Sequence, residues 1–240
     1  MTVIPQDYKG SSKRERVEEM FDSIASRYDL LNRVLSAGID KNWRRRAINE
    51  LKDIQPERIL DIATGTADLA LEAMRLRPVE IIGLDISNKM LDIGRHKIMQ
   101  SGFQGVIRLE QGDSERIPYP DGHFDAITVS FGVRNFENLE KGLREMYRVL
   151  KPGGKVVILE FSQPTKFPVK QLYSFYSHTI LPFVGQLLSR QRSAYEYLPA
   201  SVSAFPFGED FTRILTTCGF ENTKSQPLTF GIASIYTGKK

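Results

Sequence analysis

Two features of the sequence are spaced for holding a ribose: the turn Leu60-Asp61-Ile62-Ala63-Thr64-Gly65-Thr66-Ala67-Asp68, and Asp85, about 20 positions beyond Gly65. Asp85 ends the apolar run Ile82-Gly83-Leu84-Asp85-Ile86. A glycine in a strand-to-helix turn lets the backbone pass close to a ligand, and an acid at the end of the next strand accepts hydrogen bonds from ribose hydroxyls. A glycine in a tight turn is often only a turn, and a strand-end acid is often only exposed. Their joint occurrence at this spacing carries the reading.

Which ribose-bearing molecule fits follows from what the turn lacks. Dinucleotide-binding turns use G-x-G-x-x-G to bring a helix N-terminus onto a pyrophosphate. This turn has Gly65 alone, followed by Thr66 and Ala67. A cofactor without phosphate is better served, and S-adenosylmethionine is such a cofactor. Thr64 offers a hydroxyl at the turn. Further on, Asp113 and Ser114 are placed to hold an adenine edge, and Ser130 to lie near the sulfonium end.

These residues need a parallel sheet to bring them together, and the chain is patterned for one. Apolar, β-rich runs at Ile59 to Ala63, Glu80 to Ile86, Val106 to Gln111, Phe124 to Phe131 and Lys155 to Phe161 alternate with helical stretches near 67 to 76, 88 to 100 and 139 to 150. Such alternation predicts an α/β, doubly wound, Rossmann-like sheet with helices on both faces. Before it, Lys13 to Leu51 is helical in period and is divided by Gly38. After Pro164 the alternation gives way to an aromatic, apolar region reaching Pro206. A helix near Phe211 to Cys218 and strands at Thr223 to Phe230 and Ala233 to Thr237 follow. The expected organisation is one domain over 1–240: an N-terminal helical cap (1–55), a cofactor-binding core (56–163), a substrate-covering insertion (164–207) and a C-terminal helix with strands (208–240).

Composition narrows the class. With 240 residues, 41% hydrophobic and 26% charged, one well-buried core is expected. The single cysteine, Cys218, forms no internal disulfide, and no Cys/His cluster has metal-ligand spacing, so no metal is expected. The N-terminus lacks the apolar stretch of a secretory signal, which predicts a cytoplasmic protein. The apolar region from Leu172 to Leu188 is short for a membrane span and contains His178 and Pro182. The net charge of +4 includes Arg44, Arg45 and Arg46 in succession and Lys166, Lys170, Arg190 and Arg192 later. Such clusters suit acidic lipid or nucleic acid, although each is more often a solvated helix face.

Three segments carry a family resemblance: Phe21 to Trp43 (FDSIASRYDLLNRVLSAGIDKNW), Phe131 to Phe136 (FGVRNF) and Arg148 to Ser162 (RVLKPGGKVVILEFS). The last is common among small-molecule methyltransferases, whereas YDLLN with FGVRNF is far more specific. The sequence resembles the bacterial demethylmenaquinone and methoxy-polyprenyl-benzoquinol C-methyltransferases, within the class I S-adenosylmethionine-dependent methyltransferases. Tyr195 to Pro199, Phe205-Pro206 and Gly231 to Lys239 resemble the family's C-terminal part. The resemblance implies a seven-stranded mixed sheet and cofactor contacts at Thr64, Asp85, Asp113, Ser114 and Ser130, with Gly65 in the turn. The family often has Asn-Ala where this chain has Asp113-Ser114.

The implied reaction is C-methylation of demethylmenaquinol, with the prenylated benzoquinol of ubiquinone synthesis as the sibling substrate. A ring carbon is nucleophilic chiefly when a hydroxyl has lost its proton, and a phenol ionises near pH 10. Arg134 is assigned to stabilising the phenolate or orienting a water, since arginine stays protonated; pairing with Glu137 or Glu160 is its structural alternative. Asn135 is placed to hold the second ring oxygen, Tyr28 to bound the ring pocket, and Asp29 to serve in a proton relay. A polyprenyl tail predicts peripheral contact with the inner face of the cell membrane. Nucleic-acid methylation is disfavoured, because Ser130-Phe131-Gly132-Val133 stands where amino-methylating enzymes of this fold carry Asn/Asp-Pro-Pro-aromatic. A non-catalytic cofactor-binding protein is the third alternative, opposed by the intact Thr64, Asp85 and Arg134 set.

Overall fold

The computed structural model describes residues 3–36, 38–175 and 192–240. Seven strands form one sheet: β1 (Arg58–Ile62), β2 (Glu80–Asp85), β3 (Ile107–Gln111), β4 (Phe124–Ser130), β5 (Leu150–Phe161), β6 (Glu221–Leu228) and β7 (Ala233–Lys239), in the order β3-β2-β1-β4-β5-β7-β6. The first five run parallel, and β7 is antiparallel between β5 and β6. The order reverses between β1 and β4. In open α/β sheets the ligand crevice lies there, beyond the carboxyl ends of the strands. The turn after Ile62 and the exit at Ser130 therefore face one crevice.

Both faces of the sheet are covered, so its central strands are mostly apolar. Successive residues enter opposite layers: Leu60 and Ile62 pack with Ile127, Met146 and Phe211, while Ile59 packs with Trp43, Ile81 and Leu91. The helices are α1 (Lys13–Leu35), α2 (Asp40–Asn49), α3 (Asp68–Ala73), α4 (Asn88–Gln100), α5 (Leu139–Val149), α6 (Val169–Phe175), α7 (Arg192–Ala204) and α8 (Glu209–Thr217), of which α2, α3, α4, α5 and α8 supply these layers. Ser87 caps α4, its Oγ accepting from the Met90 N–H.

The largest departure from a predicted strand start is at β5. β5 begins at Leu150, which pairs with Phe124; the register then shifts, and Lys155 pairs with Ala126. The Lys-Pro-Gly-Gly stretch is thus an irregularity inside the strand rather than a connection before it. Pro227 is accommodated because β6 is an edge strand.

Above the crevice, Val17 and Met20 of α1 pack with Ala194 and Tyr197 of α7. The expected covering region is described in α6 and α7. His178, Pro182, Arg190 and most of the Leu172 to Leu188 stretch lie outside the described residues, as does the side chain of Tyr195. Among the described residues, no helix is long and apolar enough to cross a membrane.

Candidate active site

The turn after β1 passes through three left-handed residues, Ala63 (φ 51°), Gly65 (φ 55°) and Ala67 (φ 65°). Each alanine held there costs roughly 1–2 kcal/mol, and such strain collects at functional sites. The N–H groups of Thr64, Gly65 and Ala67 bond to Leu84 O (3.2 Å), Asp85 Oδ2 (2.8 Å) and Thr64 O (2.9 Å). None of these three is left to cradle a pyrophosphate, so the turn fits a cofactor without one.

Asp85 takes the Gly65 N–H on one oxygen and the Ser87 N–H, at 2.9 Å, on the other. Burial pushes its carboxyl up to about 6 despite these donors. Asp61 behaves alike: burial raises it to about 6, while the hydroxyls of Thr64 and Thr128 each donate to it at 2.6 Å. The Thr64 hydroxyl, expected to face a ligand, is committed to this bond.

Three adjoining spaces open from the crevice. The first is lined by Tyr28, Gly65, Asp85, Asp113, Ser114, Ser130 and Asn135, together with Arg14 and Phe131. The second, small and polar, is lined by Asp61, Thr64, Thr66, Asp68 and Ser130. The third is mostly apolar, walled by Met20, Phe21, Trp43, Phe131 and Phe161, and it carries Arg134. Phe131 stacks on Phe161 with centroids 4.3 Å apart, and the Trp43 Nε1 donates to Thr229 Oγ1 at 2.8 Å. Tyr28 and Phe131 line all three spaces. Phe131 is also left-handed, with φ 58°.

Seven candidate residues thus share the first space, and Thr64 lies beside it. Arg134 and Asn135 part company despite adjacency. The buried Arg134 guanidinium pairs with the fully buried Glu160, Nη1 to Oε1 at 2.7 Å, and donates to Phe131 O, while its Nε is buried without a partner. The Glu160 pairing is therefore present, whereas Glu137 accepts instead from the Lys13 N–H. Asn135 accepts from the Tyr197 hydroxyl at 3.1 Å. Asp29 lines none of the three spaces; it accepts from Thr66 Oγ1 at 2.6 Å and from Lys97 Nζ at 2.8 Å. The Arg44-Arg45-Arg46 run is not a uniform basic surface, since Arg44 is buried between Asp40 and Asp68.

The fold matches solved S-adenosylmethionine-dependent methyltransferases. One from Methanococcus maripaludis aligns with TM-score 0.64 at 22% identity, over 92% of this chain and 94% of that one. Another, from Thermotoga maritima, aligns with TM-score 0.63 at 19% identity, over 93% and 99%. At the level of sequence, the ubiE/COQ5 methyltransferase family matches residues 9–240. The chain belongs to the ubiE/COQ5 methyltransferase family. Similar members include the demethylmenaquinone methyltransferase of Bacteroides fragilis, 49% identical over 229 residues (95% of this chain, 94% of that one). The ubiquinone/menaquinone biosynthesis C-methyltransferase UbiE of Geotalea daltonii is 49% identical over 235 residues (97% and 100%).

The crevice of this ubiE/COQ5 chain also holds residues that its sequence alone did not single out. Asp61 had a signal, a carboxylate inside the apolar strand Ile59 to Ile62. Arg14 had none: it reaches Asp113 Oδ2 at 3.0 Å from 99 positions away. Gly132 is set by a close approach, because an added Cβ would lie 2.4 Å from the Cβ of Ala63. Gly132→Ala is expected to push the two crevice turns apart, lowering stability by about 1–3 kcal/mol. A denaturant midpoint equal to that of the parent would contradict this packing.

The two raised carboxyls make stability and cofactor affinity vary in opposite directions with pH. A folded value of about 6 against an ordinary value near 4 means the folded state holds the proton more tightly. The stability from Asp61 and Asp85 is fully present below about pH 4 and is lost as pH rises through about 6. Ribose hydroxyls held at this position would, in contrast, bind the ionised form of Asp85. Cofactor affinity should therefore fall as pH drops below about 6, with proton release on binding. Calorimetry in buffers of differing ionisation heat checks this, and a flat affinity from pH 7 to 5 would refute it.

Proposed function

We propose that this chain transfers a methyl group from S-adenosylmethionine to a ring carbon of demethylmenaquinol, giving menaquinol in menaquinone biosynthesis. Methylation of a methoxy-polyprenyl-benzoquinol in ubiquinone biosynthesis is the second reading, favoured by the double pathway name of the Geotalea relative. The observation that carries both is the shared wall of Tyr28 and Phe131 between the polar crevice and the apolar cavity.

The cofactor supplies an electrophilic methyl on a sulfonium. Asp85 would hold its ribose hydroxyls, and Asp113 with Ser114 its adenine edge. Asp61, through the polar space it lines with Thr64 and Ser130, would hold the amino-acid end. The aromatic cavity excludes water from the reacting ring, which strengthens every interaction with a developing ring anion. Arg134 points a guanidinium into that cavity and orients a ring oxygen by hydrogen bonding. Because Glu160 neutralises most of its charge, Arg134 serves geometry more than field. Tyr28 stays a neutral phenol, since burial raises it, and bounds the ring.

In this reading, residues 1–55 cap the core (56–163), 164–207 cover the acceptor, and 208–240 complete the sheet. The acceptor's tail would leave the cavity toward a membrane surface. Phe167 and Phe230 are 81% and 80% exposed, and Leu172 is also exposed, near the cavity residues Tyr173 and Ile232 and beside Lys166 and Lys170. Exposed apolar side chains with lysines beside them suit the surface of an anionic bilayer. Liposome flotation should retain the parent chain and release a Phe167→Ser/Phe230→Ser variant; equal retention would remove these residues from the contact.

The deciding experiment offers both quinols, anaerobically, with methyl-labelled cofactor. Label is expected in the product of demethylmenaquinol at the higher rate. Higher transfer to the benzoquinol selects the second reading, and transfer to neither removes both.

A further inference from the structure

Methylating a quinol ring releases one proton, and the groups described so far leave it without a destination. Arg134 and Arg44 already carry their protons, and arginine does not act as a base in proteins. Tyr28 and Tyr197 are both raised by burial, Tyr197 to about 12, so each stays a neutral phenol. Glu160 is bound by Arg134 and by the Phe161 N–H, and it does not line the cavity. Among the described residues that do line it there is no histidine, lysine or cysteine, and Asp40 is the one carboxylate.

The surroundings of Asp40 suit a proton acceptor. Its side chain is buried, 8% exposed. Ser36 Oγ donates to Oδ1 at 2.7 Å, and Arg44 pairs with Oδ2. Arg44 also reaches Asp68 at 2.9 Å; Lys97 joins Asp68 to Asp29, the latter at 2.8 Å. Three carboxylates, Asp40, Asp68 and Asp29, thus share two cations, Arg44 and Lys97. One negative charge is in excess, and a proton arriving at Asp40 brings the group to neutrality, which a buried site favours. Asp68 and Asp29 are 35% and 33% exposed, so the chain of charges runs from the cavity to water. Asp29, expected from sequence as a relay residue, stands at its outer end.

We propose that Asp40 is the proton acceptor for the quinol hydroxyl, resting on the quinol-methylating reading above. The O–H bond breaks, its proton passes to a carboxylate oxygen of Asp40, and the electron pair stays on the ring oxygen. The ring carbon then bonds to the methyl carbon as the sulfur–methyl bond breaks. Asp40 gives the hydroxyl proton up to solvent, and its ionised carboxylate then carries the ring-carbon proton to the ring oxygen, which restores the aromatic quinol with a net release of one proton per methyl.

The test compares the parent chain with Asp40→Asn and Asp40→Glu. Asp40→Asn should lower kcat about 10²–10⁴-fold, with cofactor affinity by equilibrium dialysis unchanged. Asp40→Glu, which retains a base, should recover part of that loss. A halogenated quinol, whose hydroxyl is more acidic, should shrink the Asp40→Asn deficit at least tenfold. In cofactor-free protein, the same acidic quinol should show phenolate absorption when bound to the parent and lose it with Asp40→Asn. A kcat within about threefold of the parent, or a deficit and an absorption band indifferent to the variant, overturns the proposal. Should Asp40→Asn fail to fold, Asp40→Glu with the acidic quinol decides: a deficit independent of hydroxyl acidity overturns it. A parent chain inactive on every quinol removes the functional reading itself, whereas an active parent with an unimpaired Asp40→Asn removes only the acceptor.

Discussion

Arg134→Ala is expected to lose turnover and to destabilise the fold together, because it strands Glu160. That carboxylate is fully buried, and its salt bridge to Arg134 is 2.7 Å long. Removing one partner of a buried pair costs about 3–5 kcal/mol, a large share of the stability of a domain this size. Inactivity of Arg134→Ala would therefore be ambiguous. The double variant Arg134→Met/Glu160→Gln removes both charges while keeping most of the volume. Its thermal midpoint should stay near that of the parent, since replacing a buried pair by well-packed neutral groups is often close to neutral. Its kcat should still fall about 10²–10³-fold, the usual loss when one placed donor is removed. A stable double variant with parental kcat would remove Arg134 from the acceptor site.

Asp85→Ala should have the second largest effect, on cofactor affinity. Two ribose hydroxyls bonded to a carboxylate contribute about 1.5–3 kcal/mol each, so affinity should drop about 10²–10⁴-fold. The substitution also frees the N–H groups of Gly65 and Ser87, which now bond to that carboxylate. The crevice turn, already holding Ala63 and Ala67 left-handed, then loses a restraint. Asp85→Asn keeps an acceptor oxygen and should lose less. It should also flatten the fall in affinity below about pH 6, leaving only the part due to Asp61, because nothing at position 85 titrates. Equilibrium dialysis across pH reads both effects, and parental affinity in Asp85→Ala would exclude ribose binding at this residue.

The sheet could be read from the chain because its signals are local. Apolar strands such as Ile59 to Ile62 alternate with amphipathic helices, and those periods fix the layers before any tertiary contact is known. Gly65 and Asp85 were legible for the same reason: a strand-to-helix turn and a strand end sit at a spacing set by one βαβ unit. The strand start at Leu150 was missed because Pro152, Gly153 and Gly154 read as a connection, while pairing with β4 across a register shift decided otherwise.

Side-chain pairings were the least legible. The Arg14 bond to Asp113 and the Arg44 bond to Asp68 join elements far apart in sequence, and no period or composition encodes them. Arg44 looked like one of three surface cations, yet its neighbours on α2 and α3 make it a buried one. Asp40 carries no signal in the sequence beside Trp43 and Arg44, since a lone acid at the start of a helix is ordinary. Only the cavity against which it packs distinguishes it.

Helix α1 contributes Arg14 and Val17 to the cofactor crevice, Met20 and Ile24 to the acceptor cavity, and Phe21 and Tyr28 to both. Much of its attachment to the core is polar, through Lys13 to Phe136 O, Asp22 to Ser87 and Asp29 to Thr66. Ligands in the two spaces would pack against this one helix, so a ligand that fixes its position for the other would favour the binding of the second. Reciprocity then requires that quinol tighten cofactor by the same factor as cofactor tightens quinol. A thermodynamic square measured with a methyl-free cofactor analogue would give one coupling constant from either direction.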